Sequence, residues 1–330
     1  NMKKPQLLWI LIILSAFACG QLYAEDVRLG RLVFEDATYP QAVGNTGKIS
    51  FYKNSFDEDN KVDVRIHIGD PATGKSQEFN LELDTVPAVG RIAWKSDGQH
   101  LAVVRTDLTP CDIYTYTRKK PFEIERLTDL LPHKEKFTEK MREALKLDQE
   151  RAPFVATQIT WSDNDSLLAF LLINLSEASL WIYDSGSERV RRVTERNVGQ
   201  YPSFSHDGTK IYFSGTGKSS GYTSDDIFVL DIEDYSYDPV IATPASELNP
   251  QVSPDGRYLV YGYRERGDRQ TIHVSDLKTG KTAPLVILGE TGACANPIWS
   301  ADGKTVYYQY NSGKTFLDIY AIDFSPDIFK

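Results

Sequence analysis

The sequence predicts an all-β chain folded as a six-bladed β-propeller of four-stranded antiparallel blades. Three observations carry the prediction. A short motif recurs six times at blade-sized spacing, a strand–turn–strand pattern surrounds each copy, and the last copy lacks an outer strand that a segment near the N-terminus can supply.

Four copies are plain: IAWKSDGQHLAVV from Ile92, YPSFSHDGTKIYF from Tyr201, NPQVSPDGRYLVY from Asn249 and NPIWSADGKTVYY from Asn296. A fifth, TQITWSDNDSLLAF from Thr157, keeps Trp-Ser but places Asn164-Asp165 where the others have Asp-Gly. A sixth, YPQAVGNTGKISF from Tyr39, aligns without gaps, with Asn45 at the Asp position. The Asp-equivalent positions 45, 97, 164, 207, 255 and 302 are separated by 52, 67, 43, 48 and 47 residues; a period of 43 to 52 is the length of a propeller blade, and the 67-residue spacing exceeds it. In each copy a short apolar strand runs into the turn and an alternating strand returns. The Asp side chain bonds backbone across the turn, and Gly takes the positive φ that a tight hairpin demands. Asp97-Gly98, Asp207-Gly208, Asp255-Gly256 and Asp302-Gly303 are therefore structural blade turns.

After each hairpin comes a third strand, such as CDIYTYT, SLWIYD, DIFVLD, TIHVSD or DIYAID, and then a short turn into a fourth, such as FEIERLT, RVRRVT or APLVIL. The last unit stops after its third strand, at residues 318–324. VRLGRLVFE, residues 27–35, precedes the first unit without a partner there and is expected to close the ring as that blade's outer strand. The 67-residue spacing holds an insertion between blades 2 and 3, residues 130–153, which predicts a helix. Phe137, Met141 and Leu145 fall at i, i+4 and i+8, between Pro132 and Pro153. This stripe has two readings: packing on the propeller rim, or a partner-binding helix or lid over the channel mouth.

Residues 1–24 read as a signal peptide. Lys3 and Lys4 precede an apolar run over residues 7–19, shorter than the roughly 20 residues a membrane-spanning helix needs. Cleavage after Ala24 yields one propeller domain over residues 25–330. Alternatively, Ala16-Phe17-Ala18-Cys19 resembles a lipobox, and lipid on Cys19 would tether the protein to a membrane. The expected location is periplasmic, or the outer membrane if Cys19 is lipidated. Cys111 and Cys294 form no disulfide framework.

The 330 residues carry a net charge of −9, which excludes a sequence-independent nucleic-acid binder. Aromatics at 12% with 18 Tyr suit pleated surfaces. GDPATGKS, residues 69–76, matches the phosphate-loop pattern, but it lies between two outer strands and no helix follows, so no nucleotide is expected. Asp57, Asp59 and Asp63 lack the Gly and the terminal Glu of a calcium loop. The histidines at 67, 100, 133, 206 and 273 occupy unrelated repeat positions, and no G-x-S-x-G is present. No catalytic, cofactor-binding or metal-binding residues are assigned, and no cofactor is expected.

The motifs NPQVSPDGRYLVY, YPSFSHDGTKIYF and NPIWSADGKTVYY resemble the six-bladed propeller of TolB-like periplasmic proteins, over about residues 27–324. The resemblance concerns the propeller portion, because the first repeat starts near Tyr39 and leaves no room for the N-terminal α/β domain of TolB itself. It implies architecture, and such propellers host many roles. Two functions are carried forward. One is an exported, monomeric, non-enzymatic scaffold that binds an envelope protein or glycan; the other is a polysaccharide lyase or hydrolase using channel-mouth carboxylates and a metal. Connections from second to third strand are the longer ones, at residues 54–61, 215–225, 264–269 and 311–316, and the working surface is expected on their face.

Overall fold

Each repeat forms one blade, and the first segment to be placed is the strand that closes the ring. The computed structural model describes residues 27–83, 92–105, 112–119, 123–128, 154–174, 177–195, 198–216, 224–265 and 267–330. Strand β1 (Arg31–Phe34) pairs antiparallel with the third strand of the last blade, Arg31 opposite Ala321 and Phe34 opposite Ile319. Blade 1 follows as β2 (Ala37–Ala42), β3 (Ile49–Phe56), β4 (Val62–Asp70) and β5 (Lys75–Glu78), and blade 2 as β6 (Ile92–Trp94), β7 (His100–Arg105), β8 (Asp112–Thr117) and β9 (Ile124–Arg126). Blade 3 contains β10 (Phe154–Trp161), β11 (Leu167–Asn174), β12 (Glu177–Asp184) and β13 (Arg189–Arg192). Blade 4 contains β14 (Val198–Phe204), β15 (Lys210–Thr216), β16 (Asp225–Asp231) and β17 (Tyr237–Ile241); a parallel bridge from Ser179 to Val198 joins it to blade 3. Blade 5 comprises β18 (Ser246–Val252), β19 (Tyr258–Arg264), β20 (Thr271–Asp276) and β21 (Thr282–Pro284). Blade 6 runs β22 (Ala293–Trp299), β23 (Thr305–Asn311), β24 (Asp318–Asp323) and then β1, so the N-terminal strand completes it.

The core is divided among the seams between blades. Buried apolar clusters among the described residues sit at each of the six junctions. Trp94 packs with Tyr52 and Ile66 between blades 1 and 2, Trp161 with Ala102 and Val104 between blades 2 and 3, and Phe34 with Phe51 and Ile319 between blades 6 and 1. A strand in mid-blade is covered on both faces, which is why β7 and β15 read as apolar runs rather than alternating patterns. The outer strands β5 and β9 are exposed along their length, and short, polar edges of this kind discourage edge-to-edge pairing.

The predicted blade turns have the expected bonding. Asp207 Oδ1 accepts from the Ser205 hydroxyl at 2.6 Å and the Thr209 amide at 3.0 Å, and Asp255 and Asp302 repeat the arrangement with Ser253 and Ser300. Asp97 takes the Gln99 and His100 amides. In blade 3 Asn164 accepts the Ser162 hydroxyl, and Asp165 takes the positive φ of 57° that Gly supplies elsewhere. GDPATGKS is a hairpin joining β4 to β5, closed by Gly74 N–H to Asp70 O at 2.9 Å. The 130–153 segment with Phe137, Met141 and Leu145, and the 1–24 segment with Cys19, lie outside the described residues.

Candidate functional site

The inner strands share an irregularity that builds the central channel. Tyr39, Gln158, Tyr201, Asn249 and Asn296 occupy one repeat position in five of the six inner strands, and all have a left-handed φ of 49° to 55°. The equivalent residue of blade 2, at position 91, lies outside the described residues. At each of the five the register with the second strand slips, for example between Leu248 and Gln251 and between Ala295 and Ile298. Such bulges re-aim side chains and free one backbone N–H from the ladder. A left-handed backbone is costly for Tyr or Gln and less so for Asn, so packing has to hold it.

The freed N–H groups are taken up by the preceding blade. Tyr39 N–H donates to Gln309 Oε1 of blade 6 at 3.0 Å, Tyr201 N–H to Gln158 Oε1 of blade 3 at 2.7 Å, and Asn249 N–H to Ser214 Oγ of blade 4 at 3.1 Å. Side-chain amides continue the series: Asn249 Nδ2 donates to Asn296 Oδ1, and Asn296 Nδ2 to Gln309 Oε1. Gln309, which accepts two of these bonds, is 4% exposed, so the series is anchored on a buried side chain, where hydrogen bonds are worth most. Tyr39 and Tyr201, in blades on opposite sides of the ring, are half-buried. Burial, and then the Tyr39 phenol, push the Tyr201 hydroxyl above its ordinary pKa.

All six blades line the resulting cavity of about 500 Å³, which extends to the S-x-D-G turns. Its described lining holds two carboxylate or imidazole groups, Asp163 and His206, paired at 2.6 Å across the turns of blades 3 and 4. The rest is amide, hydroxyl, proline and aromatic, giving a neutral wall. Three inner strands end in tryptophan. Trp94 Nε1 donates to Ser50 Oγ at 2.8 Å and Trp299 Nε1 to Gln251 O at 3.0 Å. Trp161 Nε1 has no acceptor among the described residues; Ala102 stands in blade 2 where Ser50 stands in blade 1. Gln41 Oε1, on another residue of the wall, is likewise buried without a partner among the described residues.

The remaining candidate side chains are used locally. Asp57 Oδ1 caps its own loop through the Asp59 and Lys61 amides, Asp59 pairs with Lys61 at 3.2 Å, and Asp63 with Arg65 at 2.9 Å. His100 bonds Asp97, and His273 stacks on Tyr263 at 4.0 Å, where burial pushes its pKa down to about 4. His67 approaches Ser76 at 3.3 Å, and His133 lies outside the described residues. Cys294 is buried, and burial raises its thiol far above the range of a nucleophile. Among the described residues no three His, Cys, Asp or Glu side chains are grouped to hold a metal. None of their helices is long and apolar enough to cross a membrane.

Known proteins agree with this architecture. A structure of TolB from Acinetobacter baumannii superposes with a TM-score of 0.57 at 15% identity, over 84% of this chain and 64% of that one. A putative TolB from Agrobacterium tumefaciens gives 0.57 at 15%, over 76% and 82%. The fold is that of the TolB-like six-bladed propellers. The same fold also carries an oligogalacturonate lyase in complex with manganese, similar to this chain with a TM-score of 0.54 at 15% identity over 92% of both chains. The family model for the N-terminal β-propeller domain of prolyl oligopeptidase matches residues 228–315. No curated protein sequence matches the chain. The chain thus spans a little under two thirds of the Acinetobacter TolB, and at these identities the likeness concerns the fold.

The channel residues were not assigned from sequence, although a signal was present. The residue before Pro in YP and NP motifs, and Gln158 in the aligned copy, is the bulged position. What the motif alone leaves open is the face on which each side chain emerges, since one slipped residue reverses it.

Proposed function

We propose that this chain is an exported, non-enzymatic binding scaffold of the cell envelope whose channel takes an uncharged segment of a protein partner. The observation that carries the reading is the ring of bulged, left-handed Tyr, Gln and Asn residues converging on a neutral channel. Strained backbone of this kind clusters at binding sites, because the scaffold must over-determine it. A neutral wall of amides and hydroxyls suits a ligand with many hydrogen-bonding groups and no net charge. A protein segment fits better than a glycan. Trp94, Trp161 and Trp299 are 6–7% exposed, so none of these indoles offers the open face on which a sugar ring stacks. A lyase acting on an acidic polysaccharide would need cations or a metal beside the substrate, and the described lining supplies one imidazole paired to one carboxylate.

The test places a photo-crosslinking phenylalanine analogue at Tyr201, and at exposed Glu188 as a control, and irradiates each in envelope extract. Protein adducts from position 201 alone support the reading. Equal adducts from both positions overturn it. So does release of unsaturated product from oligogalacturonate when manganese is added.

A further inference from the structure

The hydrogen-bond polarity of the channel amides is set by two backbone donors. A backbone N–H can only donate, so Tyr39 N–H makes Gln309 Oε1 an acceptor. Asn296 reaches the same oxygen and must donate to it through Nδ2. Asn296 Oδ1 therefore faces Asn249, which must donate in turn through its own Nδ2. The series ends at Asn249 Oδ1, an acceptor on a channel-lining residue that receives no bond from the described residues. The same logic holds in blade 3. Tyr201 N–H fixes Gln158 Oε1 as an acceptor, which leaves Gln158 Nε2 as a donor at the wall. Two further groups repeat the polarities. Gln41 Nε2 is used on Ile92 O at 3.1 Å and its Oε1 is an acceptor unmet among the described residues, while Trp161 Nε1 is a donor likewise unmet among them, on a residue 7% exposed. Amides able to flip would accept any polar ligand; Gln309 and Gln158 cannot flip without stranding a backbone donor, at a cost of about 1–3 kcal/mol, and Asn296 or Asn249 flipped alone would set two carbonyl oxygens against each other.

We propose that the channel reads secondary amides, with Asn249 Oδ1 accepting the N–H and Gln158 Nε2 donating to the C=O of an uncharged peptide segment. The inference rests on the reading that the channel takes a protein segment, and it adds the two residues that set specificity. Ester or N-methyl linkages and acidic groups are disfavoured, because each leaves the Asn249 acceptor without a hydrogen.

The test titrates the full chain with a panel of N-acetylated, C-amidated tetrapeptides of uncharged residues, following intrinsic tryptophan fluorescence. The tightest binder is then compared with counterparts in which one N–H at a time is replaced by an ester oxygen. One such replacement should weaken binding to wild type about tenfold. It should cost nothing further in Asn249→Gly, whose backbone tolerates the φ of 55° at that position. An ester penalty identical in both proteins overturns the proposal while leaving the protein-segment reading intact. Binding of neutral acetamido-sugar oligomers but of no peptide overturns both. Nitrogen-15 spectra of the ligand-free wild type give a check that needs no variant. The Asn249 and Asn296 Nδ2 protons should be protected from exchange and the Gln158 Nε2 protons unprotected, and the reverse pattern also overturns the proposal.

Discussion

Replacing Glu247 by Gln should stabilise the protein above neutral pH and change nothing in acid. Glu247 is 0% exposed at the seam of blades 4 and 5; its Oε1 accepts from the Thr243 hydroxyl and its Oε2 has no partner among the described residues. Burial, and with smaller weight the Asp226 and Asp225 carboxylates, pushes its pKa from 4.5 up to about 7. Between those values the native state holds a proton that the unfolded chain has released. Stability therefore falls as pH rises from 4.5 and reaches its full loss above about 7. A rise of that size corresponds to about 3 kcal/mol. Glutamine keeps the acceptor for Thr243 and never ionises. For a chain of this length the gain is about 5 °C in Tm. Thermal unfolding of both proteins at pH 4, 6 and 8, followed by circular dichroism, checks it. A difference that does not grow with pH, or a less stable variant at pH 8, would refute the account.

Other outcomes follow from the seams and turns. Ser50→Ala removes the acceptor of the buried Trp94 indole and should cost about 1–3 kcal/mol in urea unfolding, whereas Ala102→Ser, which offers the Trp161 indole a partner, should cost less or stabilise. Phe34→Ala deletes the ring stacked at 4.5 Å on Phe51 where the closing strand meets blade 1; a loss of about 3–5 kcal/mol is expected from the midpoint of denaturant unfolding. Gly98→Ala should lower Tm more than Gly303→Ala. Both have positive φ, but a β-carbon at Gly98 would lie 2.9 Å from Val43 O, while at Gly303 the nearest atom is Pro254 Cδ at 3.5 Å.

Much of the fold was legible because its information is local. The S-x-D-G turns are specified by residues that bond within five positions of one another, as Asp207 does with Ser205 and Thr209. The incomplete sixth unit and the unpaired segment before Tyr39 together announced the closing strand, which the pairing of Leu32 with Tyr320 displays. The channel was less legible. Attention to the long second-to-third-strand connections pointed to the opposite face, whereas the cavity is lined from the inner strands and reaches the short turns. Buried Glu247 gave no sign in sequence, since nothing nearby distinguishes it from an exposed glutamate.

By itself, then, the sequence determined the number of blades, their order and the ring closure, because repeat spacing and turn chemistry act over a few residues. Only the tertiary structure decided which side chains enter the channel and with what polarity. Bulges at Tyr39, Gln158, Tyr201, Asn249 and Asn296 choose the face, and the fit of one blade against the next chooses the partner of each freed N–H. Contacts between residues as far apart as Tyr39 and Gln309 exist only once the ring has closed.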